Sequence, residues 1–286
     1  ASAAWMAQQI LAAQGIRIPF ITTLHGTDIT LVGRDPSFEP VITFAIEHSD
    51  AVTAVSESLR KDTCRHFPVK RTIEVIPNFI RMERYAMGID PVLRKRFAPN
   101  GEKLMVHVSN FRPVKRVQDV MAVFMGVRQR MPTRLLLIGD GPDRQLIEAQ
   151  CRANHICDDV CFLGKMTDPE AIVASCDLFV LTSETESFGL AALEAMACGV
   201  PVVSTDAGGT AEVVENGVAG LLNAVGDVAA MTANALTILS GPETLARYRA
   251  GALRSAGRFD LPKVLPRYEE LYHEVVQRVK ADGVHQ

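Results

Sequence analysis

The chain has 286 residues, 48% of them hydrophobic and 22% charged, a composition that excludes long disorder and fibrous repeats. Lys and Arg number 30 against 33 Asp and Glu, leaving a net charge of −3. That excludes a nucleic-acid binder working by blanket phosphate neutralisation, though not one local basic pocket. No apolar run reaches the ~18–20 residues that cross a bilayer, and no charged segment followed by an apolar core opens the chain. The six cysteines are too scattered for a disulfide scaffold. Their tightest group, Cys151, His155, Cys157 and Cys161, holds no CxxC pair, so structural thiols in a reducing cytoplasm are expected, with a metal site as the less favoured alternative and no metal assigned.

The opening residues, Ala1 to Met6, are helix-like and lack a leading strand. From Arg17 the chain alternates. Strands are expected at 17–24, 51–55 and 72–76, and helices at 38–48 and 57–66, the second capped by Ser56. Residues 90–101 are charged, hold two prolines and read as a linker. Beyond it, strands are expected at 104–109, 134–138, 160–163, 177–181 and 200–204, with helices at 117–130, 144–154, 169–175 and 188–197 between them. Strands such as Leu135 to Ile138 are apolar on both faces, as in a parallel sheet covered by helices. An amphipathic helix is expected over 262–280. The fold class is α/β, with two doubly wound parallel-sheet halves and a crevice between them at the C-terminal strand ends.

Leu181 to Gly209 is the most informative segment. A strand ends, a polar turn carries Glu184 and Glu186, and a helix begins near Phe188 with Gly189 in its first turn. Such a helix start offers unpaired N–H groups and a positive dipole end to a diphosphate, and Gly189 lets it approach closely. Glu194 lies eight positions after Glu186, ~12 Å along a helix. Two acceptor-only carboxylates flanking an anion site suit sugar hydroxyls on either side. Alternatively, Ser183 and Glu186 form a capping box and Glu194 is solvated. A second, basic element, Arg112, Lys115 and Arg116, follows the strand ending at Ser109. Cations there could neutralise a leaving diphosphate, or simply be solvated at a helix start. His25 and Asn78 also follow strands directly.

The run Glu186-Ser187-Phe188-Gly189, then Glu194 through Val203, then Gly208-Gly209 and Glu212, together with Gly139-Asp140-Gly141-Pro142, resembles the signature of retaining GT-B glycosyltransferases of family 4. The resemblance covers most of the chain. It implies a GT-B fold, two Rossmann-like domains facing a cleft, and assigns catalytic roles to His25, Arg112, Lys115 and Glu186. By the same resemblance Glu186 holds donor-sugar hydroxyls, with Ser187 and Phe188 beside it, and Glu194 holds the ribose. Gly189 and Leu190 meet the diphosphate, while Gly164, Lys165 and Met166 read the uracil. Many members carry an Arg five residues before the Lys; here that position is Asn110. The role therefore passes to Arg112, with Arg116 as its substitute.

Three further segments, Thr23 to Gly33, Ile76 to Phe79 and Ser109 to Val117, resemble a branch of the family that transfers N-acetylglucosamine from UDP-N-acetylglucosamine to L-malate, the first step of bacillithiol biosynthesis. The resemblance implies a metal-independent, cofactor-free, cytoplasmic retaining hexosyltransferase, with no nucleic-acid partner and no membrane span. A homo-oligomer is compatible with it. Thr23, Asn78 and Arg81 would bind the acceptor. Residues 1–95 would be the C-terminal part of the acceptor domain, 96–258 the donor domain, and 259–286 a helix packing back on the first. Family members begin with a strand and a Gly-rich loop that do not precede Ala1, so the first domain is expected to be incomplete at its N-terminus, with an open-edged sheet. The alternatives are a relative with another donor or acceptor, such as a lipid headgroup, and a nucleotide-sugar-binding module without turnover. A nicotinamide dehydrogenase is disfavoured, because no GxGxxG follows a strand.

Overall fold

Apolar strands and amphipathic helices alternate throughout the computed structural model, which describes residues 1–30 and 35–284. Leu31, Val32 and Gly33, which end one of the segments quoted above, lie outside the described residues. The chain divides into two units, Ala1–Phe79 with Leu261–Gln286, and Ile80–Asp260.

The first unit contains α1 (Ser2–Ala12), β1 (Ile21–Leu24), α2 (Thr27–Thr30), α3 (Glu39–Glu47), β2 (Ala51–Ala54), α4 (Glu57–His66) and β3 (Ile73–Val75). Its sheet is parallel, in the order β1-β2-β3, so β1 and β3 form its edges. Ser56 caps α4, its Oγ accepting from the Leu59 N–H at 3.0 Å.

The second unit begins with α5 (Met82–Tyr85) and α6 (Pro91–Phe97). It continues through β4 (Lys103–Ser109), α7 (Val117–Arg128), β5 (Thr133–Gly139), α8 (Arg144–Ala153), β6 (Val160–Gly164) and α9 (Glu170–Ala174). It ends with β7 (Leu178–Leu181), α10 (Leu190–Ala197), β8 (Val202–Thr205), α11 (Thr210–Val213), β9 (Gly220–Asn223), α12 (Val228–Leu239) and α13 (Pro242–Ala256). Six parallel strands run in the order β6-β5-β4-β7-β8-β9. This is a doubly wound sheet, and its order reverses between β4 and β7. Both faces are covered: Met105, Leu135, Leu137, Leu178, Val180 and Val203 pack with Val120, Phe124 and Ile238 in a fully buried core on one face, and Leu104, Val106, Leu136, Phe179 and Val202 are buried on the other.

The last helix, α14 (Leu261–Val284), belongs to the first unit. Its Val264, Leu271 and Val275 are buried with Ile76, and its Arg278 donates to the Asp50 carbonyl.

Two features differ from the sequence reading. Residues 90–101 are not an open linker, because Pro91 occupies the first turn of α6, where a missing N–H costs nothing. The Asp90 carboxylate caps that turn by accepting from the N–H groups of Val92 and Leu93. The compact second unit begins at Ile80, ahead of this helix. Tyr85 and Phe97 are buried in the second unit, and the Ile80 N–H donates to the Phe259 carbonyl. Residues 205–261, for which no element was expected, contain α11, β9, α12 and α13.

A buried carboxylate ties α6 to the sheet. Asp177 accepts from the Leu104 N–H at 2.9 Å and pairs with Arg94 at 2.7 Å and Arg249 at 3.3 Å. Truncating Asp177 to Ala leaves both guanidiniums without their carboxylate in a half-buried site, at a cost of about 3 kcal/mol or more. We expect Asp177→Ala to lower Tm by roughly 10 °C; a thermal melt shifted by less than about 2 °C would refute this account.

Candidate active site

Both loops predicted to carry charge leave the sheet at the reversal between β4 and β7, where a doubly wound sheet opens its ligand crevice. The loop after β4 carries Arg112 and Lys115; the loop after β7 carries Glu186. They are joined through their backbones. The Thr182 hydroxyl donates to the carbonyls of Lys115 and Arg116, both at 2.9 Å, and the Glu184 N–H donates to the Val114 carbonyl at 2.8 Å. On this scaffold Lys115 Nζ reaches Glu186 Oε1 at 2.5 Å, and the Ser183 hydroxyl donates to the same oxygen at 2.7 Å. Side-chain exposure of 22% for Lys115 and 13% for Glu186 puts the pair in a largely dewatered place, unlike a surface ion pair.

Close backbone approach explains the glycines around the pair. A Cβ on Gly208 would stand 2.0 Å from the Glu186 carbonyl oxygen, and one on Gly209 would stand 2.4 Å from that of Ser187. The Gly209 N–H donates to the Glu186 carbonyl at 2.8 Å. Across the sheet, a Cβ on Gly139 or Gly141 would stand 1.8 or 1.9 Å from the carbonyl oxygens of Ser109 and Asn110. The Gly139 to Pro142 turn therefore braces the cationic loop.

Gly189, at φ +91°, precedes α10 as its N-terminal flanking residue. Phe188 is buried against Phe259, Ser187 is half-buried and Leu190 is exposed. The helix starts after Gly189, so Ser183 and Glu186 do not form a capping box. Arg112 is exposed, and its guanidinium pairs with nothing among the described residues. Arg116, at φ +47°, instead donates to Asp119 at 2.7 Å.

The second unit also holds a cavity of about 380 Å³ whose wall includes Glu194, Ala195, Val108, Met166, Thr167 and Tyr85. The structure thus brings Met166 and Glu194 together, while Gly164 (φ +69°) ends β6 and Lys165 is exposed. The Tyr85 hydroxyl donates to Glu194 over a long 3.4 Å. Burial pushes the Glu194 carboxyl above its ordinary range and the Tyr85 phenol upward. Arg84 bridges Glu170 at 2.7 Å and Asp168 at 2.8 Å on the same wall. Cys198 lines the cavity with its thiol pushed by burial to about 12, which keeps it protonated. The sequence reading missed Tyr85, Glu170 and the wall role of Arg84, because no local spacing marks residues that meet only in the fold.

In the first unit His25 is exposed just after β1, and Thr23 within β1 accepts from the Thr53 hydroxyl at 3.0 Å. Asn78 is half-buried after β3. Arg81 is exposed and belongs to the second unit. Among the described residues no group of three or more His, Cys, Asp or Glu is placed to hold a metal ion. No helix among them is long and apolar enough to cross a membrane.

Residues 90–254 match the family model for glycosyl transferases group 1, and residues 1–84 match that for glycosyltransferase family 4. The chain belongs to this glycosyltransferase family. The transferase is 41% identical, over 96% of its length and 72% of the relative's, to the N-acetyl-alpha-D-glucosaminyl L-malate synthase of Bacillus anthracis. It is 29% identical to the D-inositol 3-phosphate glycosyltransferase of Thermobispora bispora, over 96% of its own length and 70% of the relative's. The crystal structure of Anabaena HepE in complex with UDP shares its fold at a TM-score of 0.82 and 23% identity, over 96% of this chain and 77% of that one. The GT-B fold class expected from the sequence is the fold of these solved relatives.

The upward shift of Glu194 has a thermodynamic sign. The unfolded carboxyl ionises near 4.5 and the folded one higher. The contribution of the protonated group is therefore fully present below about 4.5 and lost as pH rises through the folded value. We expect Glu194→Gln to raise Tm by about 2 °C at pH 7.5 and to leave it unchanged at pH 4. Equal melts of the two proteins at pH 7.5 would contradict the burial argument.

Proposed function

We infer that the transferase moves N-acetylglucosamine from UDP-N-acetylglucosamine to the hydroxyl of L-malate with retention of configuration. The observation that carries this reading is the Lys115–Glu186 pair at the strand-order reversal, three residues before the Gly189 turn that opens α10. The 41% identity to an N-acetyl-alpha-D-glucosaminyl L-malate synthase supports the donor and acceptor assigned.

In this reading the N–H groups of Gly189 and Leu190 meet the diphosphate at the positive end of α10. Lys115 and Arg112 neutralise charge as it grows on the leaving oxygen, with no metal required. Glu186 accepts from donor-sugar hydroxyls, Glu194 accepts from the ribose, and the backbone of Lys165 and Met166 reads the uracil. The bond from the anomeric carbon to the diphosphate oxygen breaks while a bond to the malate hydroxyl oxygen forms on the same face. The hydroxyl proton passes to the departing phosphate oxygen, so UDP leaves without a protein nucleophile. By the family resemblance His25 would act at the reacting carbon, and Thr23, Asn78 and Arg81 would receive malate. A cytoplasmic setting, where both substrates are available, belongs to the same proposal.

Purified full-length protein should release UDP from UDP-N-acetylglucosamine only when L-malate is present. Lys115→Ala and Glu186→Ala should each lower kcat by about 100-fold or more while the protein still folds. Turnover that ignores malate would discard the acceptor, and near-normal kcat in either variant would discard the site.

A further inference from the structure

We propose that His107 and Ser109 are positioning residues for Lys115, holding from inside the sheet the turn that aims its ammonium at the diphosphate. This rests on the reading that Lys115 meets the diphosphate.

His107 lies in β4 with no exposed surface, in line with the fully buried Leu104, Met105 and Val106. An imidazole there must find partners for both ring nitrogens or forfeit its hydration unreplaced. Nδ1 stands 2.8 Å from the Val180 carbonyl of β7. A carbonyl only accepts, so Nδ1 carries the proton. Nε2 is then the acceptor, and the Ser109 hydroxyl donates to it at 2.8 Å. With its hydrogen so committed, Ser109 Oγ accepts from the Phe111 N–H at 3.2 Å. Burial, with a smaller push from the Lys115 charge, depresses the imidazole to about 4. The ring is therefore neutral near pH 7 and the direction of the chain is set.

The far end of this chain is the most constrained residue of the loop. Phe111 is fully buried at φ +39°, a left-handed conformation that a bulky residue keeps only where its surroundings dictate it. Those surroundings are the Ser109 hydroxyl on its N–H and the Asp143 N–H on its carbonyl at 3.0 Å. Its ring also stacks near His107, with centroids 6.2 Å apart. One residue later the chain enters the turn that closes with the Lys115 N–H on the Arg112 carbonyl at 2.8 Å. A rotation at Phe111 would therefore swing Lys115 as a lever. An aliphatic residue would fill the His107 site without losing hydration. The polar pair is intelligible as the device that fixes the turn.

The test compares UDP with uridine, which lacks the phosphates, by calorimetry on the full-length protein. Ser109→Ala and His107→Leu should each weaken UDP binding about tenfold and lower kcat at least tenfold, with uridine affinity unchanged. Ser109→Thr, which keeps the hydroxyl, should restore both. Lys115→Ala should lose the same phosphate-dependent affinity, and adding Ser109→Ala to it should cost nothing more, since the two act through one contact. Unchanged UDP affinity in Ser109→Ala, equal losses for UDP and uridine, or additive losses in the double variant would each overturn the relay. If His107→Leu does not fold, Ser109→Ala and its Thr rescue decide alone. A Lys115→Ala protein that binds UDP as tightly as the wild type overturns the underlying reading instead, and the relay with it.

Discussion

The ammonium of Lys115 and the carboxylate of Glu186 meet where the six-stranded sheet reverses its strand order, and the arrangement of the site depends on that meeting. β4 and β7 are neighbours in space but are separated in the chain by two further strands, so the loops leaving them have no local reason to converge. A single ion pair does not impose convergence, because the cost of taking both charges out of water offsets their attraction. Backbone contacts do that work here. Thr182 binds two carbonyls of the opposite loop, and Glu184 binds a third. The ion pair is therefore a consequence of the scaffold. Its charges can exchange partners without the loops coming apart.

The scaffold in turn is built on distances that only glycine permits. Gly139 and Gly141 lie against the carbonyls of the β4 loop, and Gly208 and Gly209 against those of the β7 loop. Each of these loops is clasped between its neighbours, and the Thr205 hydroxyl adds a bond to the Ser183 carbonyl at 2.6 Å. Left-handed Phe111 and Arg116 persist under the same constraint. The strain sits beside the charged groups, while the apolar core beneath carries the stability.

Much of this was legible in the sequence because it is written in local patterns. Runs such as Leu135 to Ile138 announce strands buried on both faces, and turn residues after them announce the strand ends where Lys115 and Glu186 stand. The helix Pro91–Phe97 was obscured because two prolines and dense charge imitate a linker, although Asp90 before Pro91 is also a helix-start signal. Tyr85 and Glu170 were illegible for a different reason: their meaning lies in facing Glu194 and Arg84 across more than 80 residues of chain. His107 left a faint trace, a single imidazole inside an apolar strand two residues before Ser109. Such a residue is satisfied by partners that only the folded sheet supplies.

Arg112 excepted, the groups of the proposed donor site have partners before any ligand arrives. Lys115 is matched to Glu186, Arg84 to Glu170, and Glu194 to the Tyr85 hydroxyl. A ligand that offers phosphates alone would draw off Lys115 and leave Glu186, 13% exposed, with fewer donors than it had. One that offers hydroxyls alone would engage Glu186 while leaving Lys115 without an anion. Only a molecule carrying an anion and hydroxyls in one frame replaces both halves of the pair at once. In the proposed reaction the pairing thus acts as a selectivity element, penalising free nucleotide and free sugar separately and favouring the nucleotide sugar in which they are joined.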